Sequence, residues 1–209
     1  MTDFASARAA MVDDQIARRG VDNARVLEAM RAIPRERFVA PDLADFAYED
    51  CALPIDCGQT ISQPYIVALM LAAADPQPGD NLLEIGAGCG YAAAVAGRLA
   101  RRVVTIERHR PLAEGARQRL TALGATNVDV HVGDGSLGWP TEAPYDCILV
   151  TAGAADIPVA LKDQLAVGGR LVAPVGAGAQ RLVKLTRRAA GKFEQEDLGG
   201  VAFVPLVRD

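Results

Sequence analysis

The sequence has 209 residues, half of them apolar, and a formal net charge of −4. A chain of this length can bury a core of its own and fits one domain. The mildly acidic balance and the scattered arginine pairs disfavour binding to nucleic acid, which needs a concentrated basic face.

Apolar stretches and cysteine spacing narrow the class of protein further. The apolar run "YIVALMLAAA" is too short to span a bilayer, and the first residues lack the pattern of a signal peptide. The thiol and imidazole side chains are few and match no zinc spacing: Cys51, Cys57, Cys89, Cys147, His109 and His131. We therefore expect a cytoplasmic protein with reduced thiols, no metal site and no membrane segment.

The first 57 residues have a helical character that differs from the rest of the chain. The stretch "VDNARVLEAMRAIPRERFV" predicts a helix with Asp22 as its N-cap. Its end is expected before Pro34, because the residue preceding a proline disfavours helical geometry. We expect residues 1–57 to form a helical extension that covers a binding site, within one domain of residues 1–209.

A polar loop, "GQTISQP" at residues 58–64, precedes an apolar helix. The loop places an amide and two hydroxyls close together, at Gln59, Thr60 and Ser62. Ser62 can cap the helix that follows, as serine often does. Its hydroxyl can equally contact a ligand, and the residues of the loop leave both roles open.

Short β-branched runs alternate with helical patterns from Asn81 onward. The expected strands, in chain order, are "NLLEIG", "RVVTIE", "NVDVHVGDG", "YDCILVTAG", "RLVAPVG", "RLVKLTR" and "VAFVPLV". Helices are expected over "YAAAVAGRLA", from Pro111 to Gly124, and over "IPVALKDQLAVGG". The alternation predicts an α/β fold with a doubly wound, mostly parallel sheet. The late strands lack helices between them, which predicts an antiparallel end.

A glycine-rich turn, "GAGCG", lies between the strand "NLLEI" and the next helix. Its glycines, Gly86, Gly88 and Gly90, let the backbone turn sharply and let a ligand approach the main chain. A dinucleotide fingerprint would need a glycine at Tyr91, and no Gly-Lys-Ser/Thr of a phosphate loop follows. The turn therefore predicts a Rossmann-like site for a different nucleotide ligand.

Acidic side chains mark the strand ends around this turn. Glu107 ends the next strand, where a carboxylate can accept both hydroxyls of a ribose, and Asp134, beside Gly135, can accept from an adenine amino group. Together with Glu84, these residues make the crevice acidic, so a diphosphate fits poorly. A cationic ligand that carries adenosine fits better, which predicts S-adenosylmethionine as cofactor and residues 58–209 as the cofactor-binding core.

The glycine turn, the strand-terminal acid and the "GDG" segment resemble the Rossmann-like class I methyltransferases. Further motifs resemble one family of that class, the protein-L-isoaspartate O-methyltransferases: "VLEAMRAIPRERFV", "GQTISQP", "GDG" with "APYD", "GGRLVAPVG" and "FVPL". The similarity runs from about Met11 to Leu206. Family members often read G-T-G-S-G-Y-Q in the glycine turn, where this chain has Ala87, Cys89 and Ala92. We expect the turn to persist and one or two hydroxyl contacts to be lost.

The resemblance implies an activity and roles for particular residues. In that family the serine of T-I-S is the active-site residue, and it matches Ser62. The loop is implied to close over the methionine end of the cofactor and to meet the substrate carboxylate. Cofactor contacts are implied from the glycine turn, from Glu107 and from Asp134. The implied reaction transfers a methyl group from S-adenosylmethionine to the free carboxylate of L-isoaspartyl residues in damaged proteins or peptides, which initiates their repair.

Other functions stay open at this point. A methyltransferase of the same fold could act on a different carboxylate, in a peptide aspartate or a small metabolite, and a silent cofactor-binding module is a third possibility. A carboxylate acceptor is already ionised at neutral pH, so transfer requires no general base, and Ser62 would donate a hydrogen bond to one acceptor oxygen. The resemblance implies that the segment "FVPL", residues 203–206, lines the peptide groove, whereas its residues alone fit a core strand equally well. Trp139 is expected to anchor packing.

Overall fold

The amino-terminal part of the chain forms a run of short helices in the computed structural model, which describes residues 3–207. Its α-helices are α1 (Phe4–Ala10) and α2 (Ala24–Ala32), and a π-helical turn, Met11–Ile16, directly follows α1. Three 3₁₀ turns lie among them and after them: Ala17–Arg19, Arg35–Phe38 and Pro41–Phe46. The predicted helical extension is confirmed.

The cap of α2 differs from the prediction. Asn23, not Asp22, occupies the N-cap, because its side-chain oxygen accepts a hydrogen bond from the Val26 amide at 3.2 Å. Asp22 lies one residue too early to satisfy the free amides of the first turn. The helix ends at Ala32, before Pro34, as the sequence predicts.

A short hairpin joins the helical extension to the polar loop. Its strands, β1 (Leu53–Pro54) and β2 (Thr60–Ile61), pair antiparallel, and α3 (Pro64–Ala74) follows. The predicted boundary between residues 57 and 58 therefore falls inside a paired element. The division of the chain into extension and core stays a prediction.

Seven strands form the central sheet. Five of them run parallel: β3 (Asn81–Ile85), β4 (Arg102–Glu107), β5 (Val128–Val132), β6 (Tyr145–Val150) and β7 (Leu165–Val175). The last two, β8 (Gln180–Ala189) and β9 (Lys192–Val201), are antiparallel to their neighbours. The spatial order β5-β4-β3-β6-β7-β8-β9 confirms the doubly wound α/β sheet with late antiparallel strands.

Three helices follow strands of the parallel part: α4 (Tyr91–Gly97), α5 (Arg110–Ala122) and α6 (Val159–Asp163). α5 has its proline in the first turn, and Gly124 follows its end with a φ of +69°, as predicted. Among residues 3–207, no helix is long and apolar enough to cross a bilayer.

The helix expected over residues 157–169 is much shorter than predicted. Only α6 forms, because the chain enters β7 at Leu165. The start of β7 is irregular: Gly168 has a φ of +84°, and the register against β6 shifts there. Glycine permits this backbone conformation at no steric cost. Because glycine is also common just after a helix, the sequence pattern alone did not distinguish an irregular strand start from a helix end.

The last strand lies earlier in the chain than predicted. β9 ends at Val201, and the expected strand over residues 201–207 is wrong beyond one bridge between Pro205 and Gly153. β9 is an edge strand with mostly exposed polar side chains, so it lacks the apolar alternation that signals a strand. Residues 203–207 instead cross the ends of the sheet strands and take part in the site.

Strand residues alternate between two apolar clusters, one on each face of the sheet. Leu82 on β3 packs with residues of α3, α4 and the helical extension, among them Met11. The next residue, Leu83, packs on the opposite face, where Trp139 lies against the cluster. The extension therefore shares the main core, and Trp139 has the predicted packing role.

The strand order creates a crevice at one end of the sheet. From β3 the chain moves outward to β4 and β5, then returns to β6 on the other side of β3. Loops that leave β3 and β6 turn in opposite directions, so a gap opens at the carboxyl ends of these two strands. The glycine turn follows β3 directly and lies at this gap.

Candidate active site

A cavity lies in this crevice and is called the inner cavity below. It has an empty volume of about 980 Å³, which includes space open to solvent. Its walls are the carboxyl ends of β3, β4 and β6, the glycine turn, residues 59–62 and residues 204–207. Five of the eight predicted site residues line it: Ser62, Gly86, Gly88, Glu107 and Gly135. The other three, Glu84, Gly90 and Asp134, neighbour lining residues in the chain without being part of the lining.

The glycine turn adopts a backbone that other residues rarely reach. Gly86, Gly88 and Gly90 have φ values of +97°, +52° and +91°. A Cβ on Gly86 would lie 2.5 Å from the hydroxyl oxygen of Thr151, so a side chain is excluded there by space as well. Gly90 is the N-cap residue that precedes α4, and it packs closely against Ala116. The turn thus brings bare backbone to the inner cavity.

Glu107 connects the end of β4 to the glycine turn. One carboxylate oxygen accepts from the Gly88 amide at 2.8 Å, and the other accepts from the His109 amide at 2.8 Å. Each carboxylate oxygen has room for about two hydrogen bonds, so both keep acceptor capacity. The carboxylate is held in one orientation in the inner cavity, where two hydroxyls of a ribose could donate to it.

Glu84 lies in the sheet beneath the glycine turn and is fully buried. Thr105 donates its hydroxyl to Oε2 at 2.5 Å, whereas Oε1 is buried without a hydrogen-bond partner among residues 3–207. Burial raises the pKa of Glu84 from 4.5 to about 8, with a smaller contribution from the nearby Glu107 charge. The raised pKa keeps the carboxyl group protonated at neutral pH, which lowers the cost of burying it.

Asp134 and Gly135 lie after β5. Asp134 accepts from the Ser136 amide at 2.8 Å and caps a 3₁₀ turn, Gly135–Leu137. A Cβ on Gly135 would come within 2.4 Å of the Ile85 side chain, so this position requires glycine for close packing against β3. Gly135 reaches the inner cavity, and the contact of Asp134 with an adenine stays a prediction.

Ser62 lies between the inner cavity and a second one, called the outer cavity below. The outer cavity has an empty volume of about 1230 Å³ and is bounded by residues 50–52, by Gln63 and Ile66, by residues 179–180 and by residues 200–204. The shared wall of the two cavities contains four residues: Thr60, Ser62, Thr151 and Val204. The T-I-S segment therefore faces both spaces.

The capping role considered for Ser62 is wrong. Gln63, one residue later, occupies the N-cap position of α3, and no side chain caps that helix. The Ser62 carbonyl oxygen accepts a hydrogen bond from the Arg35 guanidinium at 2.8 Å, which holds the Ser62 backbone in place. The Ser62 hydroxyl is thus not committed to the helix end.

Thr151 is a site residue that the sequence reading missed. It follows β6 directly, and its hydroxyl lies 2.8 Å from the Ile85 carbonyl and 2.7 Å from the Gly86 carbonyl. This contact ties the end of β6 to the start of the glycine turn. The available signal was its position at the carboxyl end of a buried parallel strand, where ligand-binding residues of α/β sheets gather.

The fold and the site define a class of proteins. A doubly wound sheet, a glycine turn at its switch point and an acid at the end of the neighbouring strand are the features of the Rossmann-like methyltransferases. A family model described as protein-L-isoaspartate(D-aspartate) O-methyltransferase (PCMT) matches residues 6–209. The chain belongs to this family, and it is an enzyme of the methyltransferase class.

Relatives and solved structures agree with this assignment. A protein-L-isoaspartate O-methyltransferase of Methylorubrum extorquens is 58% identical over 99% of this chain and 90% of its own length. One of Brucella anthropi is 53% identical over 99% of this chain and 96% of its own length. A solved protein-L-isoaspartate O-methyltransferase is similar with a TM-score of 0.85 at 30% identity, covering 95% of this chain and 65% of that chain.

A Plasmodium falciparum structure of the same description contains S-adenosyl-L-homocysteine. Its TM-score is 0.84 at 24% identity, and the match covers 97% of this chain and 99% of that chain. At this identity the likeness shows the fold alone.

Proposed function

We propose that this protein transfers the methyl group of S-adenosylmethionine to the free carboxylate of L-isoaspartyl residues in damaged proteins or peptides. The product is a methyl ester that can collapse to a succinimide and so begin repair. The observation that carries the proposal is the wall between the two cavities. A methyl donor in the inner cavity and a carboxylate in the outer cavity would meet there, beside Ser62.

The inner cavity fits the proposed cofactor. Gly86, Gly88 and Gly135 give room for close approach, and Glu107 offers both oxygens to the ribose hydroxyls. Glu84 lies behind the lining, so its predicted contact with the cofactor would require a donor of the ligand to reach past the lining residues to Oε1. When bound, S-adenosylmethionine supplies an electrophilic methyl group on a positively charged sulfur.

The chain has to align the reactants, and it needs no general base. An isoaspartyl carboxyl group has a reference pKa of about 3 to 4 and is ionised at neutral pH. Its attack on the methyl group is a displacement in line with the carbon–sulfur bond, and good alignment of bound reactants can lower such barriers by about 7 to 11 kcal/mol. The two apposed cavities would bring the reactants together at their common wall.

Ser62 acts in this proposal as a hydrogen-bond donor. Its hydroxyl would bind one oxygen of the acceptor carboxylate and leave the other oxygen directed toward the methyl group. The carboxylate of Glu107 and the carboxyl group of Glu84 do not line the outer cavity, so they would not repel the acceptor at close range. Ser62 is a positioning hydroxyl and not a nucleophile.

The Ser62→Ala variant tests this role. Methyl transfer to an isoaspartyl peptide should fall about tenfold to a hundredfold, because a hydrogen bond to a charged group is lost. Binding of S-adenosylhomocysteine, measured by calorimetry, should stay nearly the same. Thr121→Ala is the matched control, since Thr121 is an exposed hydroxyl on α5. Unchanged transfer by Ser62→Ala would remove Ser62 from the reaction.

The acceptor is tested with matched peptides and labelled cofactor. The wild-type protein should methylate a peptide with an isoaspartyl residue and leave the same peptide with an ordinary aspartate unmodified. Transfer only to the aspartyl peptide, or only to small dicarboxylates, would favour the alternative carboxylate methyltransferase. Binding of cofactor without transfer to any of these acceptors would favour the silent binding module.

The cellular setting and the domain organisation are part of the proposal. Cys51, Cys57, Cys89 and Cys147 are free thiols, which supports a reducing cytoplasm, with damaged proteins as partners and neither nucleic acid nor membrane required. The shared core of extension and sheet supports one domain over residues 1–209, with 1–57 as extension and 58–209 as cofactor-binding core. Cell fractionation tests the location, and a single cooperative thermal transition tests the single domain.

A further inference from the structure

A buried arginine lies next to the proposed reaction centre. Arg35, in the 3₁₀ turn Arg35–Phe38 of the helical extension, has no solvent-accessible surface. Burying a guanidinium is costly unless its donors are satisfied, and apolar residues of similar size often serve a core as well or better. Its place in this core therefore calls for a role beyond packing.

Arg35 donates to two backbone carbonyls from different segments. Nε donates to Ala47 at 2.7 Å, and Nη2 donates to Ser62 at 2.8 Å. The guanidinium carbon lies 4.9 Å from the centre of the Tyr91 ring, which belongs to the first residue of α4 after the glycine turn. One side chain thus bridges the extension, the T-I-S segment and the start of the cofactor-binding helix.

The charge of Arg35 is only partly neutralised by these contacts. Its two bonded nitrogens face carbonyl dipoles and not carboxylates, and Nη1 is buried without a hydrogen-bond partner among residues 3–207. The acids of the site, Glu84 and Glu107, lie on the cofactor side. Arg35 therefore places a positive charge next to the Ser62 backbone, although it lines neither cavity.

We propose that Arg35 is a positioning residue for methyl transfer, which holds the Ser62 backbone so that the hydroxyl meets the acceptor carboxylate. The rigid guanidinium fork can bind two carbonyls at once, which an ammonium group on a flexible chain does not reproduce. Without it, the Ser62 and Ala47 carbonyls lose their charged donor, and the segment between β2 and α3 gains freedom. This inference rests on the proposed function of Ser62.

The test compares Arg35→Met in two backgrounds, wild type and Ser62→Ala. In the wild-type background, kcat for the isoaspartyl peptide should fall about a hundredfold, as expected for a misplaced reacting group. In the Ser62→Ala background the same change should cost much less, because the hydroxyl that Arg35 holds is already absent. Binding of S-adenosylhomocysteine, followed by calorimetry, should change little in either background.

Arg35→Lys and Arg31→Met complete the set of variants. Arg35→Lys keeps the charge, and its kcat should stay low because one ammonium cannot bridge both carbonyls. Far-UV circular dichroism checks folding, and if Arg35→Met does not fold, Arg35→Lys is compared in the same two backgrounds and decides the question. Arg31→Met is the matched control, since Arg31 is an exposed residue of α2 that pairs with Asp13.

Two results would overturn the inference. Equal losses of kcat in the two backgrounds would mean that Arg35 acts independently of Ser62, through stability alone. An undiminished kcat in folded Arg35→Met would remove it from the reaction. Failure of the wild-type protein to methylate any isoaspartyl peptide would instead refute the proposed function, so the two failures are distinguishable.

Discussion

The inner and outer cavities are built in different ways. The inner cavity takes its walls from the carboxyl ends of parallel strands, where strand register fixes Ile85, Glu107 and Thr151 relative to one another. The outer cavity is bounded by the loop at residues 50–52, the start of α3 and the end of β9 with the segment after it. Regular structure holds the first cavity, and contacts between separate segments hold the second.

The two cavities also differ in the charged residues in and around their walls. Glu107 in the inner cavity is held by two backbone amides, and Glu84 is buried just beneath. Among the described residues that line the outer cavity, Asp50 alone is charged, and Arg19 pairs with it at 2.7 Å. Arg108 also lines the inner cavity, so that cavity holds charged groups of both signs. A cavity with fixed charged groups suits one defined cofactor, whereas the mostly uncharged outer cavity can accept an isoaspartyl group in varied peptides.

The Glu107→Gln variant should have the largest effect on the inner cavity. One of the two backbone amides, from Gly88 or His109, would face the amide donor of the new side chain, so the glycine turn would lose its anchor. Hydrogen bonds to charged groups are worth about 1.5 to 3 kcal/mol, so binding of S-adenosylhomocysteine should weaken about a hundredfold. Isothermal titration calorimetry measures this change.

Glu114→Gln is the control for that substitution. Glu114 is exposed on α5, so the same chemical change there should leave cofactor affinity as it is. If Glu107→Gln also binds as tightly as wild type, the inner cavity does not depend on this carboxylate, and the contrast in charge between the two cavities loses its functional meaning.

The inner cavity was the part of the molecule that could be predicted from sequence. Buried parallel strands read as short apolar runs, and three glycines between a strand and a helix indicate a turn with few alternatives. Five of the eight predicted site residues consequently line one cavity. Thr151 was missed because a threonine after a strand has no distinctive pattern of its own.

The outer cavity could be predicted only in part, for physical reasons. Its segments meet through long-range contacts that leave no periodic signal, such as Arg35 with the Ser62 carbonyl, 27 residues apart. β9 was misplaced because an exposed edge strand lacks apolar alternation, and residues 203–206 read as a strand because they are apolar. The family resemblance, not the pattern, singled out the T-I-S loop.

The Gln180→Leu variant tests the outer cavity with a smaller expected effect. The Gln180 side chain accepts from the Phe203 amide at 2.8 Å and donates to the Phe203 carbonyl at 3.1 Å, which holds the segment after β9 in place. Loss of both bonds should raise KM for the isoaspartyl peptide about tenfold, since neutral hydrogen bonds contribute about 1 kcal/mol each. Steady-state kinetics with varied peptide measures it.

Gln118→Leu is the control, because Gln118 is exposed on α5. In Gln180→Leu, affinity for S-adenosylhomocysteine should change less than KM for the peptide, although Val204 lines both cavities. If the affinity for S-adenosylhomocysteine and the KM for the peptide changed by the same factor, the segment after β9 would serve the two cavities alike. The proposed separation of the two cavities would then be wrong.

Stability, and not cofactor or peptide binding, should respond to the buried carboxyl group of Glu84 beneath the inner cavity. Because burial raises the pKa of Glu84 to about 8, the folded state keeps a proton that the unfolded state releases above its ordinary value of 4.5. The stability tied to that proton is therefore fully present below pH 4.5 and is lost as pH rises through about 8, by about 1.4 kcal/mol per pH unit at most.

The glutamine side chain in Glu84→Gln does not titrate. Comparison of this variant with wild type therefore isolates the contribution of Glu84 to the pH dependence of stability. The stability of wild type, Glu84→Gln and the exposed control Glu114→Gln is measured by urea unfolding at about pH 5.5 and about pH 7.5. Both pH values lie between the ordinary pKa of Glu84, 4.5, and its raised pKa of about 8. Stability relative to wild type should increase with pH for Glu84→Gln and stay constant for Glu114→Gln. Parallel pH profiles for all three proteins would mean that Glu84 is charged in the folded state. Glu84 would then be a buried carboxylate at neutral pH, and its Oε1 would need a hydrogen-bond donor even before cofactor binds.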